Sequence, residues 1–289
     1  MSTTLYPPID VARLEERREA LAITEIAPSH ERIMGGVMGL GEPGSWINQA
    51  MGVGLEGPVT EAELDRLVAF YTERSIEPRI ELCPFVDDSL ILGLEARGFF
   101  LREFSNIFAR PIGPDLAEDW PHLVVRGWPV DDAGHELRIV RVTSSDHEYF
   151  MAFAEISMSG FLPEPRALTE GEIQLGRSII DHPRSEGCVA IFGDQVVAAG
   201  GAEFPKNGAV GPIASLFGTS VLEPWRRRGI QQALIAFRLG LAAKHGAEVA
   251  TIGSKPGIPT ERNSMRLGFT LAYGRVALAI PGPGLTPCR

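Results

Sequence analysis

The spacing of hydrophobic residues predicts the secondary structure of the second half of the chain. Between Glu223 and Gly246, apolar side chains recur at intervals of three and four residues, the pattern of a helix that buries one face. Runs of strand-like composition lie on both sides of this helix. The stripe consists of Ile230, Ala233, Leu234, Phe237 and Leu241. The predicted strands are "ELRIVRV", the hairpin "GCVAIFGDQVVAAGGAEF", "GPIASLFGTSVLE", "AEVATIG" and "TLAYGRVALAI".

The first half of the chain repeats this order of elements. Thr60 and Glu63 form a capping-box pattern ahead of a second helical stripe, and a strand, a helix and the strand-like run "FFLREFSNIFARPI" follow. The sequence therefore predicts an α/β (α+β) protein of two tandem units. Each unit is expected to be a mixed, mostly antiparallel sheet flanked by helices.

A segment rich in proline, glycine and acidic residues separates the two halves. From Pro111 to His135 no helical or strand period is sustained, which is typical of a connection between domains. We therefore predict an N-terminal domain over 1–112, a linker over 113–135 and a C-terminal domain over 136–289.

Composition narrows the classes of function. Of 289 residues, 44% are hydrophobic and the formal net charge is −10, so a large core is expected, and nucleic-acid or anionic-membrane partners are not. The chain shows neither a leader-like start nor an apolar run long enough to span a bilayer, which predicts a cytoplasmic protein. Its three cysteines, Cys83, Cys188 and Cys288, lack metal-ligand spacing, so we expect no metal.

Three arginines stand against this acidic background at the start of the predicted helix. Arg226, Arg227 and Arg228 precede Gly229, after a strand and a sharp turn. The first amides of a helix lack intrahelical partners and carry partial positive charge, so a strand that turns into a helix makes an anion site. Cations are disfavoured at this end of a helix unless a ligand compensates them. The pattern predicts a phosphate-type ligand, with a solvated arginine patch as the alternative.

The same residues resemble the GNAT family of acetyl-CoA-dependent N-acetyltransferases. Arg226-x-x-Gly229-x-Gln231 is similar to the family's [Q/R]-x-x-G-x-[G/A] loop except at its last position, and "TERNSMRLGF" is similar to its late segment. The resemblance covers roughly residues 137–280 and, more faintly, 10–112. It implies acetyl-CoA as co-substrate, an amine as acceptor, and a degenerate N-terminal copy without the arginine loop.

The resemblance also implies which residues meet the cofactor. The backbone of Thr219, Ser220 and Val221 would pair with the pantetheine arm, the arginine loop would wrap the diphosphate, and Asn263 would face the thioester end. The implied loop residues are Arg226, Arg227, Arg228, Gly229, Ile230, Gln231 and Gln232. Two positions depart from the family: Gln231 replaces a small residue, and Ser264 stands where many members have a tyrosine.

Acyl transfer to an amine needs a proton acceptor and benefits from an acid for the leaving thiolate. Glu203 is the candidate base and Tyr273 the candidate acid; the alternatives are a solvated strand-end carboxylate and a core aromatic. The predicted function is transfer of an acetyl group from CoA to an amine of a small molecule or protein. A non-catalytic acyl-CoA-binding or regulatory module and a structural scaffold are the alternatives. Neither the acceptor nor the oligomeric state, monomer or homodimer, is specified by the sequence.

Overall fold

The computed structural model describes residues 6–125, 127–160 and 166–281. The chain divides into two compact units, each built from two stretches of sequence. Pro7–Ile107 forms the N-terminal unit together with residues 271–281, and Phe108–Thr270 forms the C-terminal unit together with Tyr6. None of the helices within the described ranges is both long and apolar enough to cross a membrane.

The N-terminal unit has a sheet with strand order β1-β2-β3-β4-β11-β5. β1 to β3 form an antiparallel meander, and β3 pairs with β4 in parallel at Ala50 and Ile80. Apolar side chains of α2 and α3 pack on this sheet. The apolar stripe of α2, which is Leu64, Leu67, Phe70 and Tyr71, is buried throughout. The elements are α1 Pro8–Ile26, β1 Ser29–Ile33, β2 Gly36–Leu40, β3 Ala50–Met51, α2 Glu61–Thr72, β4 Arg79–Leu82, α3 Asp88–Ala96, β5 Phe100–Pro111 and β11 Thr270–Ala279.

The C-terminal unit has strand order β10-β9-β8-β7-β6, with the end of β5 next to β10. β6 to β9 are antiparallel, whereas β9 and β10 are parallel, and α7 is buried along most of its length against this sheet. The elements are α4 Leu116–Asp119, β6 Arg138–Val142, α5 His147–Ser159, α6 Glu170–Asp181, β7 Ser185–Phe192, β8 Gln195–Glu203, β9 Ile213–Val221, α7 Ile230–Lys244, β10 Val249–Ser254 and α8 Pro259–Arg266.

The structure confirms the predicted fold class and the repeat. The series α2-β4-α3-β5 of the N-terminal unit recurs as α7-β10-α8-β11 in the second half of the chain. In both copies a helix joins two parallel strands, α2 between β3 and β4 and α7 between β9 and β10.

The domain boundaries differ from the prediction in two ways. The segment predicted as a linker belongs to the C-terminal unit, where Leu116 and Val124 are buried and Trp120 packs edge-on against Phe237. Gly240 of α7 makes this packing possible, because a Cβ there would lie 2.3 Å from the Trp120 ring. The second difference is the final strand, β11, which belongs to the N-terminal unit between β4 and β5.

The two cysteines within the described residues are thiols, and no disulfide is formed there. Cys83 and Cys188 are free and buried, and burial raises the pKa of each to about 12 and about 11 respectively. Cys288 lies outside the described residues. Inside those residues, no group of three or more His, Cys, Asp or Glu side chains is arranged to hold a metal ion.

Candidate functional site

The turn into α7 has the backbone geometry of an anion-binding helix start. A 3-10 turn over Glu223–Trp225 follows β9, Arg227 has φ +68°, and Gly229 is left-handed at φ +85°. No side chain within the described residues caps α7, whereas α2 and α6 both begin with capping boxes. The first-turn amides of α7 are therefore left without a side-chain acceptor and can bind an anion.

The three arginines of this turn have different partners. Arg228 donates two hydrogen bonds of 2.9 Å to the carboxylate of Asp132 and lies over the ring of Trp225, 5.3 Å from its centroid. The Arg228 guanidinium lowers the pKa of Asp132. Arg226 donates from Nε to the carbonyl of Val221 at 3.1 Å. In the part of the chain that the structure describes, neither Arg226 nor Arg227 is paired with a carboxylate.

Asp132 is a partner that the sequence did not indicate, and it bears directly on the predicted anion site. Its side chain is 88% exposed, so the ion pair with Arg228 is solvated on its outer side. Exposed ion pairs of this kind contribute little to stability, and a phosphate that also meets helix amides can replace the carboxylate. Arg226, Arg227 and the helix amides thus remain available beside Arg228, which is half-buried and paired with the exposed Asp132.

β9 separates from β10 before it reaches this turn. The parallel register joins Ile213–Leu216 to Val249–Ile252 and ends there, while β9 stays paired with β8 as far as Val221. Gly218, with φ +60°, lies at an irregularity of the β8–β9 ladder. The edge of β9 over 217–221 that faces away from β8 is therefore a strand edge without a strand partner among the described residues. Such an edge can pair with an extended, amide-bearing ligand.

Thr219, Ser220 and Val221 lie on this edge, and two of their side chains have protein partners. Thr219 accepts from Arg238 of α7 at 2.7 Å, and the Ser220 hydroxyl lies 3.2 Å from that of Ser159 at the end of α5. The segment that connects α5 to α6 begins beside Ser159, and its residues 161–165 lie outside the described residues.

An amide network joins the first turn of α7 to α8. The Gln231 amide donates to Thr260 Oγ1 at 3.0 Å and accepts from Asn263 Nδ2 at 2.5 Å, and Gln232 donates to Asn263 Oδ1 at 3.2 Å. The Gln231 side chain therefore extends towards α8 rather than across the helix start. The larger side chain at this position does not fill the anion site.

No protein-family model and no curated protein matches the chain. Among solved structures, a GCN5-related N-acetyltransferase from Kribbella flavida superposes with a TM-score of 0.63 at 17% identity and covers 98% of each chain. A tandem GNAT protein from the clavulanic acid biosynthesis pathway superposes with a TM-score of 0.60 at 14% identity, over 95% of this chain and 96% of its own. A conserved Staphylococcus epidermidis protein of unknown function gives 0.55 at 12% identity, over 91% of this chain and 100% of its own.

The chain has the tandem GNAT fold. At these identities the likeness establishes the architecture, and it agrees with the resemblance inferred from the arginine loop. In this GNAT fold the helix start at Gly229 and the free edge of β9 both belong to the C-terminal unit.

The two candidate acid–base residues lie in buried settings. Glu203, the last residue of β8, is 3% exposed and forms an ion pair with the buried Arg184, so it is not a solvated carboxylate. Tyr273 belongs to the N-terminal unit of the GNAT fold, where it is 5% exposed and donates to Glu16 Oε1 at 2.8 Å. Burial raises the pKa of Tyr273 well above its ordinary value. Each of the two side chains is thus buried and already partnered within its own unit.

Two further polar residues, Ser264 of α8 and Arg238 of α7, are buried near the site. Ser264 is fully buried and donates to the Thr260 carbonyl at 2.8 Å, so its hydroxyl is already hydrogen-bonded within α8. Arg238, which sequence reasoning missed, is 1% exposed and contacts β9. A signal was present, since Arg238 follows Leu234 by four residues and therefore shares its buried face.

Proposed function

We propose that this chain transfers an acetyl group from acetyl-CoA to an amine of a small molecule or protein. One observation supports it above the others: α7 begins at a left-handed glycine without a side-chain cap, directly after the free edge of β9. The two features offer a diphosphate site and a strand edge in sequence, which suit the diphosphate and the amide-bearing pantetheine arm of CoA.

Different residues of the C-terminal unit would bind the diphosphate and the pantetheine arm of CoA. The first amides of α7 and the guanidinium groups of Arg226 and Arg227 would hold the diphosphate, since arginine matches phosphate oxygens in charge and geometry. Arg228 would join them on release from Asp132. Backbone groups of Thr219–Val221 would hydrogen-bond the pantetheine amides. Acetyl-CoA supplies an activated acyl group, so no metal is required for this chemistry.

The proposed reaction requires no side chain as an acid or a base. The neutral amine nitrogen attacks the thioester carbonyl, the C–S bond breaks, CoA leaves as thiolate, and the nitrogen loses a proton. A backbone amide of β9 is suited to stabilise the developing oxyanion. Since Glu203 and Tyr273 are buried and hydrogen-bonded within their own units, we infer that solvent accepts the proton.

The N-terminal unit is proposed to be the degenerate copy, because its corresponding groups are already bonded. Glu63 accepts from the Thr60 amide at 2.8 Å, and Thr60 caps the first turn of α2 in return. After β3, the Gly54 amide donates to Met34 and the Gly54 carbonyl accepts from Asp87. The protein's own groups thus occupy the positions that a CoA ligand would need in this unit.

The decisive experiment is titration of CoA and acetyl-CoA, followed by release of free thiol with a panel of amines. Arg226→Ala should weaken CoA binding about tenfold, since it removes a charge-assisted phosphate contact. Arg13→Ala, an exposed arginine of α1 that makes the same change in net charge, should leave binding unchanged. Equal affinities for the two variants would refute the diphosphate site.

A non-catalytic acyl-CoA-binding module is the second candidate, and the burial of both predicted acid–base residues favours it. It predicts tight binding of acetyl-CoA with no thiol release for any amine. Turnover with a single amine would exclude it.

A further inference from the structure

Arg238 is a cation inside the C-terminal unit without an acidic partner. It is the largest fully buried side chain of the described residues, none of which offers it a carboxylate. Burial lowers its pKa, as expected for a guanidinium removed from water. A charge in this setting is costly unless its donors are satisfied, so its hydrogen bonds identify what it holds in place.

Its donors reach two neighbouring strands. Nη1 donates to the carbonyl of Gly201 on β8 at 2.7 Å and to that of Phe217 on β9 at 3.2 Å, and Nη2 donates to Thr219 Oγ1 at 2.7 Å. Nε donates to the Leu234 carbonyl of its own helix at 3.0 Å. One planar side chain therefore joins α7, β8 and β9.

These contacts coincide with an interruption of the β8–β9 ladder. Between the pairs Ala199–Ser220 and Gly201–Phe217, β8 contributes one residue and β9 two, so β9 carries a bulge at Gly218. A bulge leaves backbone groups out of the ladder and bends the strand. The Arg238 guanidinium bonds the carbonyls of Gly201 and Phe217, the pair at one end of the bulge, and the Thr219 hydroxyl within it.

The neighbouring sequence makes space for this arrangement. A Cβ at Gly200 would lie 3.0 Å from Arg238 Nη1 and 3.1 Å from its Cζ. Glycine at that position thus allows the guanidinium to approach the ladder, and even a methyl group there would displace it.

We propose that Arg238 is a positioning residue that holds the bulge of β9 and so sets the direction of the free edge over 217–221. Because Arg238 and the turn at Gly229 belong to one helix, the same side chain ties together the two elements assigned to CoA. The effect on CoA rests on the proposed function; the effect on β9 does not.

The test is amide hydrogen exchange over 217–221 in the full chain without ligand, together with titration of CoA. Arg238→Met should speed exchange of these amides and weaken CoA binding, each by roughly tenfold, because hydrogen bonds to a charged donor are lost. Arg238→Lys should restore part of both effects. Ile235→Val is the matched control, since it perturbs the core on the same helix but removes no side-chain hydrogen bond to β9.

Gly200→Ala keeps Arg238 but displaces its guanidinium. If Arg238→Met does not fold, exchange over 217–221 in Gly200→Ala tests the proposal instead. If the folded variants exchange the amides of 217–221 no faster than the control does, the proposal is overturned, whether or not CoA binds. Faster exchange with unchanged CoA affinity overturns the role in ligand binding. A wild-type protein that binds no CoA refutes the proposed function alone, and the exchange data still test Arg238.

Discussion

The buried carboxyl group of Glu16 should make the stability of the N-terminal unit fall as pH rises. Glu16 lies on α1 with no exposed surface, and its Oε2 has no hydrogen-bond partner among the described residues. Burial raises its pKa from the ordinary 4.5 to about 7, and Glu19 adds to the rise, while Arg275 and the Tyr273 hydroxyl oppose it. The folded protein therefore favours the protonated carboxyl.

The sign and size of the effect follow from proton linkage. Below pH 4.5 Glu16 is protonated in the folded and the unfolded chain, and no penalty arises. Above that pH the unfolded chain releases the proton first, so the free energy of unfolding falls until the folded-state pKa of about 7 is passed. The rise in pKa corresponds to a loss of about 3 kcal/mol across this window.

Glu16→Gln removes the titration while keeping an acceptor for the hydroxyl of Tyr273. Urea unfolding of wild type and variant, followed by circular dichroism from pH 4.5 to pH 8, gives the difference in unfolding free energy at each pH. That difference should move by about 3 kcal/mol in favour of the variant as pH rises. Glu95→Gln, an exposed glutamate of α3, is the control and should show a difference independent of pH. A Glu16→Gln difference that is equally flat would refute the buried, protonated carboxyl.

Three further predictions concern the C-terminal unit. Asp132→Asn should tighten CoA binding by up to about fivefold, because a competing carboxylate is removed, and an Arg228→Ala background should abolish this gain in calorimetric titrations. Gly229→Ala and Gly246→Ala each place a Cβ on a residue with left-handed backbone at one end of α7, so both should lower the free energy of unfolding by about 1 kcal/mol. Only Gly229→Ala should weaken CoA binding. Glu203→Gln should destabilise the fold by about 3 kcal/mol or more, as it leaves a buried guanidinium without its anion. If Glu203→Gln instead keeps the thermal stability of the wild type but no longer releases thiol, Glu203 acts as the base.

The elements of the fold were predictable because their signals are local. The stripe of α2, its capping box at Thr60 and the end of α7 near Lys244 depend on residues within about four positions of one another. The arginine loop is equally local, and its likeness to the GNAT loop extends the prediction to the fold. These features follow from spacing and side-chain chemistry, which the sequence contains in full.

The pairing of distant residues was not predictable from the same patterns. Asp132 and Arg228 are 96 residues apart, and Tyr273 and Glu16 are 257 apart, yet each pair shares a hydrogen bond. Glu203 has the same strand-end pattern whether it meets water or a buried guanidinium. Only the tertiary contact decides between these settings, and with them the proton chemistry available to the side chain.

Periodicity, caps and charge, which act over a single turn, were enough to predict two α/β units and a cationic loop at the start of one helix, and the resemblance of that loop implied the GNAT fold. Contacts in three dimensions put β11 in the N-terminal unit, packed the segment predicted as a linker on Gly240, and brought Arg238 to the bulge of β9. Strand order and burial depend on contacts between distant parts of the chain. Residue spacing along the sequence carries no record of those contacts.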